Sequence, residues 1–229
     1  MLLAIALMAA VGTLSAQEPG RKTLADAQIE YDRAIAEQKL AMDEIRNEER
    51  RITDVAKDRL DNARKMKIVA TLLCTMRGMP QILYGDELMF RSTDRSKGHP
   101  TLRIDFPGGW EGDAINLFNR EEHTGDQKEV FDHTHALMNW RKSKEVIHNG
   151  KTLHFIDRDN TYAFFRYDDK EVVFVYVNNS DVEHTVPWSR YTEISEGLSE
   201  GRDVLTGKSV KMDNLKVAPM TSIIVEFTR

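Results

Sequence analysis

From Arg21 to Arg77 the chain contains neither glycine nor proline. A run of that length without a breaker favours helix over every other regular structure. It is also densely charged, with 12 acidic and 11 basic residues between Gln17 and Lys65. Glu30/Arg33, Asp43/Arg46, Asp54/Lys57 and Asp61/Arg64 place opposite charges three residues apart, where they meet on a helix surface. Tyr31, Ile35, Met42, Ile45 and Ile52 follow the 3–4 spacing of a heptad seam, broken by Gln28, Gln38 and Glu49. The expectation is a charged helical arm over residues 17–65 with a thin apolar stripe suited to self-association. No catalytic constellation falls within it.

The rest of the composition narrows the function classes. The 229 residues, 41% hydrophobic and 30% charged, can bury a sizeable core. A net charge of −5 offers no basic excess for nucleic acid. The single cysteine, Cys74, excludes an intrachain disulfide and a CxxC metal cluster; no cofactor is expected. No apolar run reaches the roughly 18 residues of a membrane span. Residues 1–14 are uncharged and mostly apolar, and Leu14-Ser15-Ala16 carries small residues where a signal peptidase cuts. A signal peptide over residues 1–16, and a secreted or periplasmic chain, are therefore expected, although no basic residue precedes the apolar run.

After the arm the chain changes character. Met66–Met76 is an apolar helix that Arg77-Gly78-Met79-Pro80 should end, because glycine suits a helix C-terminus and proline blocks continuation. Gln81–Tyr84 reads as a short buried strand closing on Gly85-Asp86-Glu87, and Asp126–Lys142 as a further helix. Lys151–Ile156, Thr161–Tyr167, Glu171–Asn178 and Ser222–Thr228 read as strands, with turn chemistry at Asp168-Asp169-Lys170 and Asn178-Asn179-Ser180. Glu171–Val177 is apolar on both faces, as a central strand should be. Asp132, His133 and His135 look metal-like on paper, but neighbours at i and i+2 point to different faces of a helix. Met138 and Trp140 read as core.

The run from Arg77 to Leu88 resembles the eighth barrel strand of the α-amylase superfamily, through Gly78, Pro80, Tyr84, Gly85 and Glu87. Leu102–Trp110 resembles the loop that follows this strand in neopullulanase- and cyclomaltodextrinase-like members, and Asp126–Lys142 their eighth barrel helix. The resemblance covers about residues 62–229. It implies a (β/α)8-barrel remnant over 66–149 and an all-β C-terminal sandwich over 150–229, which with the long helix make an α+β chain. It implies α-glucans or maltooligosaccharides as the parent family's substrates. Glu87 would support the barrel mouth rather than act as an acid. Arg103 resembles a loop arginine that holds sugar hydroxyls, although His99 stands where an aspartate is common. Trp110 would either stack on a pyranose ring or, more readily, anchor packing behind Pro107-Gly108-Gly109.

Retaining members of that family use an Asp nucleophile, a Glu acid/base and a second Asp, at the ends of the fourth, fifth and seventh barrel strands. All three precede the eighth strand, and no Asn-His-Asp motif precedes Met66. The resemblance therefore carries no catalytic residue onto this chain. The expectation is a C-terminal fragment of an α-glucan-acting glycoside hydrolase, inactive alone. The alternative is an exported, non-enzymatic protein whose arm associates and whose β-domain binds a partner or a carbohydrate.

Overall fold

A computed structural model describes residues 24–91, 96 and 103–229. The expected signal peptide and His99 lie outside the described residues. The chain divides into two units, one ending at Val55 and the other beginning at Ala56.

Helix α1 spans Leu24–Thr75 without interruption. The change of composition near Lys65 is thus a change of surroundings, not of secondary structure. In the first unit Ile29, Ile35, Leu40, Met42, Ile45 and Ile52 are all exposed. Asp43–Arg46 and Glu48–Arg51 pair along the helix surface, at 3.1 and 2.6 Å. Such exposed pairs contribute only about 0.3–0.5 kcal/mol each.

In the second unit α1 acquires a buried face of Ala63, Ile68, Ala70, Thr71, Cys74 and Thr75. Helix α2 (Gly125–Lys142) opens with a reciprocal cap between Thr124 and Gln127. It is tied to α1 by Arg59–Asp126 at 3.0 Å and Lys67–Glu129 at 2.9 Å. A single turn, α3 (Glu145–His148), leads to the sheet domain. Gly150 is obligatory at that junction, since a Cβ there would lie 2.2 Å from the Val146 carbonyl oxygen and 2.9 Å from that of Tyr167.

The sheet is six-stranded and antiparallel, in the order β1 (Lys151–His154), β2 (Thr161–Tyr167), β3 (Glu171–Asn178), β8 (Thr221–Thr228), β5 (Glu200–Asp203), β6 (Ser209–Lys211). A two-stranded ribbon pairs β4 (His184–Thr185) with β7 (Lys216–Val217). Strand period does the sorting: Val172, Phe174 and Tyr176 face one cluster, while Val173 and Val175 face another. The first cluster is closed by Val186, Trp188, Tyr191, Ile194 and Met212, from the ribbon's surroundings and from short helical turns that include α4 (Thr192–Ser195). The second is closed by Cys74, Leu137, Val146 and Ile147, from all three preceding helices.

The fold is a mixed helix and antiparallel-sheet arrangement, in keeping with the α+β expectation, with helices on the sheet's second face. One expectation is corrected here. Gln81–Tyr84 forms no strand. A strand is stabilised by its neighbours' hydrogen bonds, and no described strand lies beside this segment to supply them.

Candidate functional site

The segment after α1 is built on a helix end. Gly78 adopts φ 121°, a left-handed conformation that closes the turn. Arg141, almost fully buried in the last turn of α2, donates from Nη1 to the Cys74 carbonyl and from Nη2 to that of Gly78, both at 2.7 Å. One guanidinium thus satisfies carbonyls that a helix end leaves without partners. Met79 is left exposed, and Pro80 is half-buried.

Gly85 and Glu87 work together. The Gly85 N–H donates to Glu87 Oε2 at 3.0 Å, and the Phe90 N–H donates back to the Gly85 carbonyl at 2.9 Å. Gly85 has φ 89°, and a Cβ there would sit 2.1 Å from the Phe90 ring. The carboxylate of Glu87 therefore braces its own turn. Asp86 and Glu87 border a recess of about 30 Å³ with Val69, Leu73 and Ile82. That holds water-sized occupants rather than a sugar ring. A wider groove of about 260 Å³ beside it is bordered by Asn62, Lys65, Asp86, Phe90 and Arg91.

The Tyr84 hydroxyl donates to the Ile104 carbonyl at 3.0 Å, which brings the motif against the loop carrying Arg103. Arg103 itself is exposed. In that loop Asp113 accepts from the Gly108 N–H at 2.7 Å and the Trp110 N–H at 3.1 Å. The packing role expected of Trp110 is not found: its side chain is 76% exposed. Phe106 is the loop's anchor instead, with ring centroids 5.4 Å from Phe90 and 4.4 Å from Phe118. A proline-glycine-glycine turn carries the indole outward and leaves the preceding phenylalanine inside. No contact among the described residues joins Trp110 to Arg103 or Glu87.

Asp132 and His135 diverge from His133. Asp132 pairs with Arg120 and Lys128, and His135 bonds Asn139. His133 points inward, with Nε2 3.1 Å from the Thr71 hydroxyl, which lies 2.9 Å from the Ser222 hydroxyl on β8. Burial, reinforced by the Lys67 charge, pushes His133 from 6.5 down to about 4.

Sequence reasoning missed a polar joint between helices and sheet. Lys144 reaches Glu226 at 2.6 Å and Glu171 at 3.2 Å, while the Trp140 indole donates to Glu226 at 2.5 Å. Burial works against the Lys144 ammonium, but the bonds and charges of Glu226 and Glu171 outweigh it and raise its pKa above 10.5. One signal was available: Arg166 is a lone charge between Phe164-Phe165 and Tyr167, where a buried strand has little place for one.

Residues 152–226 match the family model of the cyclo-malto-dextrinase C-terminal domain. A 4-alpha-glucanotransferase of Thermotoga maritima is 25% identical over 134 residues, covering 52% of this chain and 30% of that protein. Among solved structures, AmyP in complex with maltose superposes with a TM-score of 0.54 at 14% identity, covering 72% of this chain and 34% of AmyP. A MutB mutant in complex with glucose gives 0.51 at 19% identity, covering 72% and 38%. These structural likenesses concern the fold. The chain spans about a third of the length of the proteins it matches.

Proposed function

We propose, from the premise that the C-terminal part of this chain belongs to the α-amylase superfamily, that it supplies the non-catalytic C-terminal domain of an α-glucan-acting enzyme, together with the helices that seat it. The observation that carries this reading is the joint. One face of the sheet is sealed by Cys74, Leu137, Val146 and Ile147. That buries the sheet against helices instead of leaving a face open to a sugar. Glu87, the carboxylate best placed by sequence, is committed to its own turn. Two carboxylates flanking a glycosidic bond are what hydrolysis needs, one attacking or activating water while the other protonates the leaving oxygen. Sugar contact falls to Arg103 and Trp110, which lie exposed on the loop after the motif.

The purified chain is expected to release no reducing ends from pullulan, starch or cyclodextrins above the buffer rate. Maltotriose should quench the emission of Trp110, and the quench should vanish in Trp110→Ala. Turnover abolished by Glu87→Gln would overturn the non-catalytic reading.

We also propose export, resting on residues 1–16, and self-association through apolar side chains left uncovered. Ile68 is buried and Leu72 packs on the sheet, whereas Val69, Leu73, Met79 and Leu83 are exposed. Sedimentation should show dimers or larger species at micromolar concentration, reduced to monomer by Val69→Glu with Leu73→Glu. A monodisperse wild-type monomer would refute self-association.

A further inference from the structure

Arg166 sits near the end of β2 with its side chain fully buried, at 0% exposure. Its Nη2 donates to the carbonyls of Ile147 at 2.8 Å and Gly150 at 2.9 Å, with Val146 further off at 3.4 Å. Those bonds fasten β2 to the end of α3 (Glu145–His148). They leave Nε and Nη1 buried with no hydrogen-bond partner. Buried donors without partners are costly, and in native proteins they call for an explanation, an ion or a water among them.

Charge separates those two explanations. Arg141, also nearly buried, spends its Nη groups on the Cys74 and Gly78 carbonyls. The charges of Arg141 and Arg77 both bear on Arg166. The acids of this joint, Glu171 and Glu226, are engaged by Lys144. Among the described residues no carboxylate pairs with Arg77, Arg141 or Arg166. A water could accept from an N–H, but the two buried guanidinium charges would then face only the carbonyl dipoles of Cys74, Gly78, Ile147 and Gly150 and no anion. An uncompensated buried charge is among the more destabilising features a fold can carry.

We propose that this arginine cluster binds a small inorganic anion, which accepts from the orphaned Nη1 of Arg166 and balances Arg141 and Arg77. The position belongs to the joint between helices and sheet, apart from the loop that carries Arg103 and Trp110. The ligand class is a monovalent, halide-sized ion: Nη1 and Nε of Arg166 are the orphaned donors, while the carbonyls of Ile147 and Gly150 already occupy Nη2. Nε, on another edge of the guanidinium, takes a water.

Chloride is the probe. The full chain should melt several degrees higher in sodium chloride than in sodium gluconate at equal ionic strength. The rise should saturate with chloride, as binding to one site requires. The ³⁵Cl resonance should broaden in its presence and sharpen when bromide competes. Arg166→Met, which removes the orphaned charge and keeps an apolar stem, should melt identically in the two salts and leave the line sharp. Arg77→Gln, at an exposed position that spares the core, should weaken chloride binding several-fold. Wild-type melting that is the same in both salts, with no broadening, would overturn the proposal and assign the N–H groups to water. Broadening that survives Arg166→Met would place the ion elsewhere and overturn it equally.

Discussion

Phe174→Ala is expected to cost the β-domain about 3–5 kcal/mol, the range for removing a buried aromatic ring and leaving a cavity. Phe174 is fully buried near the centre of β3. Its ring centroid lies 4.7 Å from Phe165, 5.2 Å from Trp188 and 5.5 Å from Tyr191. Three rings lose a neighbour at once, and the cavity cannot collapse without moving the strand between β2 and β8. The loss is a large share of the roughly 5–15 kcal/mol that holds a typical domain together. Urea unfolding followed by Trp188 emission should show the midpoint fall accordingly. Ile156→Ala, at a side chain 79% exposed, should change it by no more than about 0.5 kcal/mol. Equal effects at the two positions would mean that the core is not where the structure puts it.

The second large effect is a loss of stability in mild acid, from His133. The folded chain binds this proton only near pH 4, whereas the unfolded chain binds it near 6.5. Between those values the unfolded state holds more protons, so stability falls as the pH falls, by about 1.4 kcal/mol per unit and on the order of 3 kcal/mol in all. Above pH 6.5 the group contributes no pH dependence. The groups facing it are Lys67 and Thr71 on α1 and, through Thr71, Ser222 on β8. None is an acid that would welcome the imidazolium. Asp126 acts in a lower window: burial opposes its charged form, but bonds from Thr124 and Arg59 outweigh this and lower it from 3.8. Its contribution is lost only as the pH drops further. His133→Gln keeps a polar group near Thr71 and cannot titrate. Its urea midpoint should therefore stay flat from pH 7 to 4.5 while the wild type declines. Parallel slopes in the two proteins would remove His133 as the cause.

How much could be read in advance depended on how local each cause was. Strands Thr161–Tyr167 and Glu171–Asn178 have the bounds the residues suggest. Their apolar runs are bracketed by Asp168, whose carboxylate accepts from the N–H groups of Lys170 and Glu171, both at 2.8 Å. Strands β4 to β7 went unseen, because two to four half-exposed residues carry no period to detect. Gln81–Tyr84 has strand composition but no neighbour, and composition cannot supply one. The loop was legible as a loop, yet which of Phe106 and Trp110 turns inward depends on where glycines reverse the chain. The Arg141 and Arg166 contacts join residues far apart in sequence through backbone carbonyls, which no side-chain pattern announces.

The placement of β8 has a consequence for synthesis. Of this sheet's strands it is made last, yet it lies between β3 and β5, pairing with β3 along its whole length and with β5 at Glu226 and Val225. Ser222, which reaches Thr71 on α1, belongs to it as well. While a ribosome is still making β7, the exposed edge of β3 has no partner, β5 and β6 form a detached hairpin, and the inner face of α1 has an incomplete floor. The domain therefore closes in one late step instead of growing strand by strand. A stall before Thr221 would leave on the nascent chain the long apolar edge Val172–Val177, a surface that chaperones bind and that other unfinished chains can pair with.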